Sequence, residues 1–126
     1  MSPLDLARAC LQAYVDKDRQ AAEALIAADF HFTSPIDNAL DRDMYFARCW
    51  PNSASMSAVT VVQSVDDGER AFIVYEASMG KKRVRNCEVH TARNGKLVAV
   101  EVYFGWDLPH PAESGSFVED DAEVPS

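Results

Sequence analysis

The 126 residues fit one domain with one core, and 48% apolar with 25% charged residues is the balance of an ordinary globular protein. No run reaches the ~18 apolar residues that a membrane-spanning helix needs, and no basic stripe marks a nucleic-acid binder. The net charge of -8 gathers at the C-terminus: from Asp107 on there are six acids and no Lys or Arg, while the remaining 14 acids nearly balance 12 bases.

The start, MSPLDLARAC, lacks a basic segment followed by a continuous apolar one, so no signal peptide is expected and a cytoplasmic location is the default. Cys10, Cys49 and Cys87 are odd in number, far apart and set among apolar residues. They read as buried reduced thiols, and with no Cys/His spacing the chain offers no metal site.

Ser2-Pro3-Leu4-Asp5 is a helix start: a capping serine, proline at the first helical position and an acid at the positive end of the dipole. Leu4, Ala7, Leu11 and Tyr14 then recur at helical period, with Cys10 and Val15 beside them. Asp16-Lys17-Asp18 interrupts. Asp18 can cap a second helix, whose Ala22, Leu25 and Ile26 mark a face and which ends by Asp29. Phe30 to Ser34 alternates as a strand, with Phe30, Phe32 and Ser34 on one face; Pro35 ends it and a turn through Asp37 and Asn38 follows. Asp41 can cap a third helix carrying Met44, Tyr45, Phe46, Cys49 and Trp50, ended by Pro51-Asn52-Ser53.

Four strand-like runs complete the chain: Met56–Val65, Ala71–Met79, Val84–Ala92 and Leu97–Trp106. Asp66-Asp67-Gly68, Gly80 and Asn94-Gly95 separate them as hairpin turns, so the runs form an antiparallel meander. The basic cluster Lys81, Lys82, Arg83 and Arg85 flanks one turn and reads as a solvated tip. In the last run Val98, Val100, Val102, Phe104 and Trp106 share a face expected to meet the helices. Ala99, Glu101 and Tyr103 share the other, facing water or a partner subunit. Residues 109–126, with Pro, Gly, Ser and acids, read as an irregular or disordered tail after a domain spanning 1–108. Helices and antiparallel strands segregated in this order predict an α+β fold, in which a sheet curled round helices leaves a ligand-sized hollow at its open end.

Several segments carry a family pattern in order: Ala28-Asp29-Phe30, Phe32-Thr33-Ser34-Pro35, Asp41-Arg42-Asp43-Met44-Tyr45-Phe46, Asn94-Gly95-Lys96-Leu97 and Val102-Tyr103-Phe104-Gly105-Trp106. Across residues 4–108 the chain resembles the nuclear-transport-factor-two-like superfamily, within it the SnoaL-like branch. The resemblance implies a cone-shaped (cystatin-like) α+β barrel with a deep pocket and a homodimer joined by sheet faces. Because that superfamily holds isomerases, epoxide hydrolases, cyclases, dehydratases and plain binders, fold does not decide function. The ketosteroid isomerases keep a general base just before the proline ending the first strand, where Ser34 stands here. Their helix-one tyrosine falls on Cys10, one turn before Tyr14, and their protonated aspartate falls near Cys87 or Glu88. Limonene epoxide hydrolase keeps an aspartate where Val102 stands. Neither chemistry carries over.

Three residues are candidate catalytic groups. Glu88 and His90 share one face of a strand, with Asn86 on the same row. Inside a cavity they would form an acid–base pair; on the outer face they would pair with solvent or a partner. Asp37 lies either at the pocket mouth or in a self-satisfied turn. Tyr14, Phe32, Tyr45, Trp50, Phe104 and Trp106 are candidate wall residues, or core. Arg42 pairs with Asp41, Asp43 or Glu76, or clamps a substrate carboxylate. Glu76, among apolar neighbours, is buried with a partner or sits at a wet strand end. These residues support a cofactor-free acid–base enzyme acting on a small apolar, cyclic or carbonyl-bearing compound. The alternatives are a non-catalytic ligand-binding or dimerisation module and a protein-interaction domain working through the sheet face.

Overall fold

The computed structural model describes residues 1–119. Helix α1 (Pro3–Asp16) opens with a capping box: the Asp5 amide donates to the Ser2 hydroxyl at 3.1 Å and the Ser2 amide to the Asp5 carboxylate at 3.2 Å. Its buried stripe is Leu6, Ala7, Cys10, Leu11 and Tyr14, with Leu6 taking the place expected of Leu4. Lys17 stops it in the left-handed region at φ 58, and Asp18 caps α2 (Arg19–Leu25) by accepting from the Ala21 amide. The expected second helix is thus four residues too long. Ile26 to Asp29 belong to strand β1 (Ile26–Ser34), because Ile26 pairs with Leu97 and buries its side chain there. Tertiary pairing overrides the weak helical periodicity.

A second departure lies just after Pro35. The expected turn is confined to Pro35 and Ile36, and from Asp37 the chain is strand β2 (Asp37–Asp41), which folds back on β1 with Phe32 opposite Leu40 and Ser34 opposite Asp37. Helix α3 (Arg42–Cys49) follows, its first turn capped by Asp41 accepting from the Met44 amide at 2.9 Å. A 3-10 turn over Trp50–Ala54 carries Pro51.

Strands β3 (Met56–Asp66), β4 (Arg70–Met79), β5 (Lys82–Arg93) and β6 (Lys96–Asp107) form the expected antiparallel meander. The six-stranded order is β2-β1-β6-β5-β4-β3, and β1 joins β6 in parallel. The sheet stays open, with β2 and β3 as its edges. Three helices thus pack on one curved, mostly antiparallel sheet, an α+β cone. Among the described residues no helix is long and apolar enough to cross a membrane.

The core lies between α1, α3 and the concave face. Leu6, Phe30, Ile73 and Leu97 are fully buried there, each contributing about 1.5–3 kcal/mol by transfer from water. Tyr45 stacks obliquely on Phe30 and Phe32, ring centres 4.9 and 5.0 Å away, and fixes α3 over β1.

Two bulges in β6 adjust which residues face inward. Ala92 pairs with Leu97 but Thr91 with Ala99, so Leu97, Val100 and Val102 turn inward and Val98 is the extra residue. Asn86 pairs with Phe104 but Arg85 with Trp106, which places Gly105 in the second bulge. A Cβ on Gly105 would lie 1.9 Å from the Arg85 carbonyl oxygen, so only glycine fits. The single apolar face expected from Val98 to Trp106 is therefore broken at both ends, and Trp106 turns to the convex side. From Pro109 to Glu119 the chain has no helix or strand; the tail expectation for 120–126 lies outside the described residues.

Candidate functional site

Between the helices and the concave face the structure encloses a cavity of about 370 Å³, within the usual range for small-molecule sites. Leu11, Phe32, Met56, Met79, Val100, Val102 and Phe104 supply its apolar lining. Phe104 and Ile36 are exposed and form part of the mouth.

On the sheet wall, β4 and β5 bring four polar side chains together. Alternation turns Tyr75, Asn86, Glu88 and His90 inward, with Tyr75 opposite Asn86 in the register. Glu88 and His90 are 8% and 1% exposed, so the inward alternative holds for both. Glu88 Oε1 lies 2.8 Å from His90 Nε2, and the Tyr75 hydroxyl donates to Glu88 Oε2 at 2.5 Å. The Asn86 amide nitrogen reaches the Tyr75 oxygen at 3.5 Å, while its carbonyl oxygen accepts from the Gly105 amide at 3.0 Å. The second β6 bulge thus orients Asn86. His90 Nδ1 is buried without a hydrogen-bond partner among the described residues. Burial, then the neighbouring Glu88 charge, pushes the Tyr75 phenol above its ordinary pKa, so it stays a donor.

On the helix wall, the Tyr14 hydroxyl donates to the Tyr45 hydroxyl at 2.7 Å. Burial raises both phenols above the ordinary tyrosine range. It also pushes the Cys10 thiol up to about 12 and the Cys49 thiol up to about 11. Neither cysteine is an activated nucleophile.

Asp37 belongs to a separate cluster at the mouth. The Ser34 hydroxyl donates to its Oδ2 at 2.7 Å, and Arg48, one α3 turn beyond Tyr45, pairs with its Oδ1. Burial of the Asp37 carboxyl would raise its pKa, but Ser34 and the Arg48 guanidinium together hold it below the usual value. The sequence offered three catalytic candidates; the structure joins two of them and keeps the third at the rim.

With this geometry in place, the SnoaL-like domain profile matches residues 7–100. The chain belongs to the SnoaL-like family. No curated protein matches it by sequence. Among solved structures it is similar to a protein from Kribbella flavida DSM 17836 at TM-score 0.75 and 20% identity, covering 82% of this chain and 87% of that one. It is also similar to an NTF2-like protein from Cytophaga hutchinsonii ATCC 33406 (TM-score 0.69, 18% identity, 83% of this chain and 91% of that one). An LEH-like epoxide hydrolase from M. tuberculosis aligns at TM-score 0.65 and 17% identity, over 80% of each chain. At these identities the similarity establishes the NTF2-like cone and nothing about activity.

In this SnoaL-like chain Tyr14, Phe32, Tyr45 and Phe104 line the cavity, as the sequence suggested, but Arg42, Trp50, Glu76 and Trp106 do not. Helical spacing puts Tyr45 and Cys49 on the cavity side of α3 and Phe46 and Trp50 on the adjacent row, so Trp50 packs on the Tyr14 ring at 4.8 Å. Arg42 donates to the Glu23 carbonyl at 2.9 Å and lies over Phe46, tying α3 to α2 rather than pairing with Asp41, Asp43 or Glu76. Glu76 sits on the convex face with Arg83 and Arg85, and Trp106 lies beneath Arg85 on that same face. Tyr75 and Arg48 were missed. Tyr75 was legible as the one polar member of the otherwise apolar row Ala71, Ile73, Tyr75, Ala77.

Proposed function

We propose that the protein is a cofactor-free acid–base enzyme acting on a small, mostly apolar cyclic compound, with Glu88 and His90 as the proton-transfer pair. The reading rests on one observation: a carboxylate and an imidazole 2.8 Å apart, both buried, on the wall of an otherwise largely apolar cavity. Such a pair can accept a proton from a bound molecule and return it to a neighbouring atom, a step worth about 10²–10⁴-fold in rate. Tyr75 fixes the second Glu88 oxygen. Asp37, bound by Ser34 and Arg48, supplies a fixed charge at the mouth rather than a travelling proton. The SnoaL-like family membership and the LEH-like epoxide hydrolase neighbour are compatible with this chemistry.

The competing reading is a binding module using the same cavity. Two measurements separate them: proton NMR of deuterium exchange into a panel of cyclic ketones and hydroxyketones in heavy water, and mass spectrometry of whatever co-purifies with the protein. Catalysed exchange on one ring class supports the enzyme. No exchange on any member, with a ligand recovered intact from the cavity, supports the binder.

The convex face also bears on assembly. Val65, Tyr103 and Trp106 are exposed there, beside the half-buried Phe72, Val74 and Val89. We infer that this face pairs with a second copy to give a homodimer in the cytoplasm, leaving the cavity mouth free.

A further inference from the structure

The polar groups of the sheet wall differ in what they have left to offer. The Tyr75 hydroxyl hydrogen is given to Glu88 Oε2 at 2.5 Å. Against a Glu88 carboxylate, the ring nitrogen of His90 that faces Oε1 at 2.8 Å is the one that carries the hydrogen, since a bare lone pair there would face an anionic oxygen. Both strong donors are therefore spent inside the cluster. The remaining capacity is accepting: one further lone pair on each Glu88 oxygen, and His90 Nδ1, which has no partner among the described residues. Asn86 has its carbonyl oxygen committed to the Gly105 amide and one amide hydrogen directed at Tyr75, so a single amide hydrogen is left over.

On the helix wall, across the cavity from this cluster, the Tyr14 hydrogen goes to Tyr45. Charge points the same way. Two carboxyl groups, Asp37 and Glu88, line the cavity against a single guanidinium, Arg48, which is already paired with Asp37 at the mouth. An anionic ligand would meet Glu88 with no free cation to offset it.

We infer that the sheet end of the cavity receives a hydrogen-bond donor, the hydroxyl of an uncharged cyclic alcohol, phenol or enol, and delivers it to Glu88. A hydroxyl also offers a lone pair to the spare Asn86 hydrogen, which an ammonium group does not. Carbonyls and ethers find few donors, and carboxylates are repelled. The inference rests on the cavity being the ligand site proposed above and refines its substrate class: the hydroxyl or enol form of the ring compound is the form bound.

Three probes of one ring system test it by isothermal titration at pH 7: 2-naphthol, 2-methoxynaphthalene and 2-naphthoate. The expected result is 2-naphthol binding at least ~10-fold tighter than the ether and tighter still than the carboxylate. In Glu88→Gln, where an amide can donate, the preference for naphthol over the ether should shrink to within about threefold. If that variant fails to melt cooperatively, Tyr75→Phe, which frees one Glu88 oxygen, should keep or increase the naphthol preference. Equal affinity for the ether and the naphthol in the unaltered protein would overturn the inference, as would preferred naphthoate binding or no binding of any probe. Selective naphthol binding without any catalysed proton exchange would retain this assignment and remove the enzymatic reading.

Discussion

Glu88 is the residue on which the site turns, because each of its oxygens has a donor from a different strand position: Tyr75 on β4 and His90 on β5. A buried carboxylate without such partners would cost several kcal/mol. Asp37 behaves differently, and pH separates the two. Its folded pKa lies below the unfolded value of about 3.9. The stabilisation it contributes is therefore complete above about pH 4 and is lost as pH falls from there through the lower folded value. Melting curves of the protein and of Asp37→Asn should accordingly differ by a constant amount from pH 7 to about pH 5 and converge under stronger acid; a gap that widens with acid would contradict the assignment. The thiols give a second check. With Cys10 pushed up to about 12, only about one molecule in 10⁴ carries the thiolate at pH 8. Iodoacetamide should label Cys10 in the folded protein more than ~100-fold slower than in denaturant, as followed by mass spectrometry. Equal rates would mean that α1 does not bury it.

At the scale of elements, the bulge at Gly105 sets the phase of the site. It turns Phe104 toward the cavity and Trp106 away, and its amide holds Asn86 in place. Gly105→Ala must push the β5–β6 ladder apart at Arg85. We expect a loss of about 2–3 kcal/mol, read as a fall in melting temperature of several degrees. An unchanged melting temperature would show that the bulge is not as drawn. This element also marks where the sequence stops being legible. The helices, their caps and the meander follow from period and turn chemistry, and residues such as Ser2, Asp18 and Asp41 announced their roles. Bulges leave the alternating pattern intact while shifting register against the neighbouring strand, so Trp106 read as inward. Glu76 and Tyr75, adjacent in sequence, likewise exchange roles according to a phase fixed by pairing with β3 and β5. Strand β2 carries no β-branched run and exists because β1 offers it an edge, which Asp37 and Asn38 could not reveal.

At the scale of the molecule, the open sheet has two unlike faces, the concave one around the cavity and the convex one with its exposed apolar residues. If the convex face joins two copies, light scattering after gel filtration should give twice the 13.9 kDa chain mass. Tyr103→Glu, at an exposed position, should return the monomer with its fold intact. A monomer at every concentration of the unaltered protein would contradict the pairing. The proposed proton transfer belongs to the concave face. The most direct measurement is the rate of deuterium exchange into a ring compound that the protein turns over, compared among the unaltered protein, Asp37→Asn and Glu88→Gln, with cooperative melting confirmed for each. Glu88→Gln is expected to slow exchange at least ~100-fold, with Asp37→Asn staying within about tenfold. Exchange that survives Glu88→Gln, or that Asp37→Asn abolishes instead, would contradict the proposed transfer.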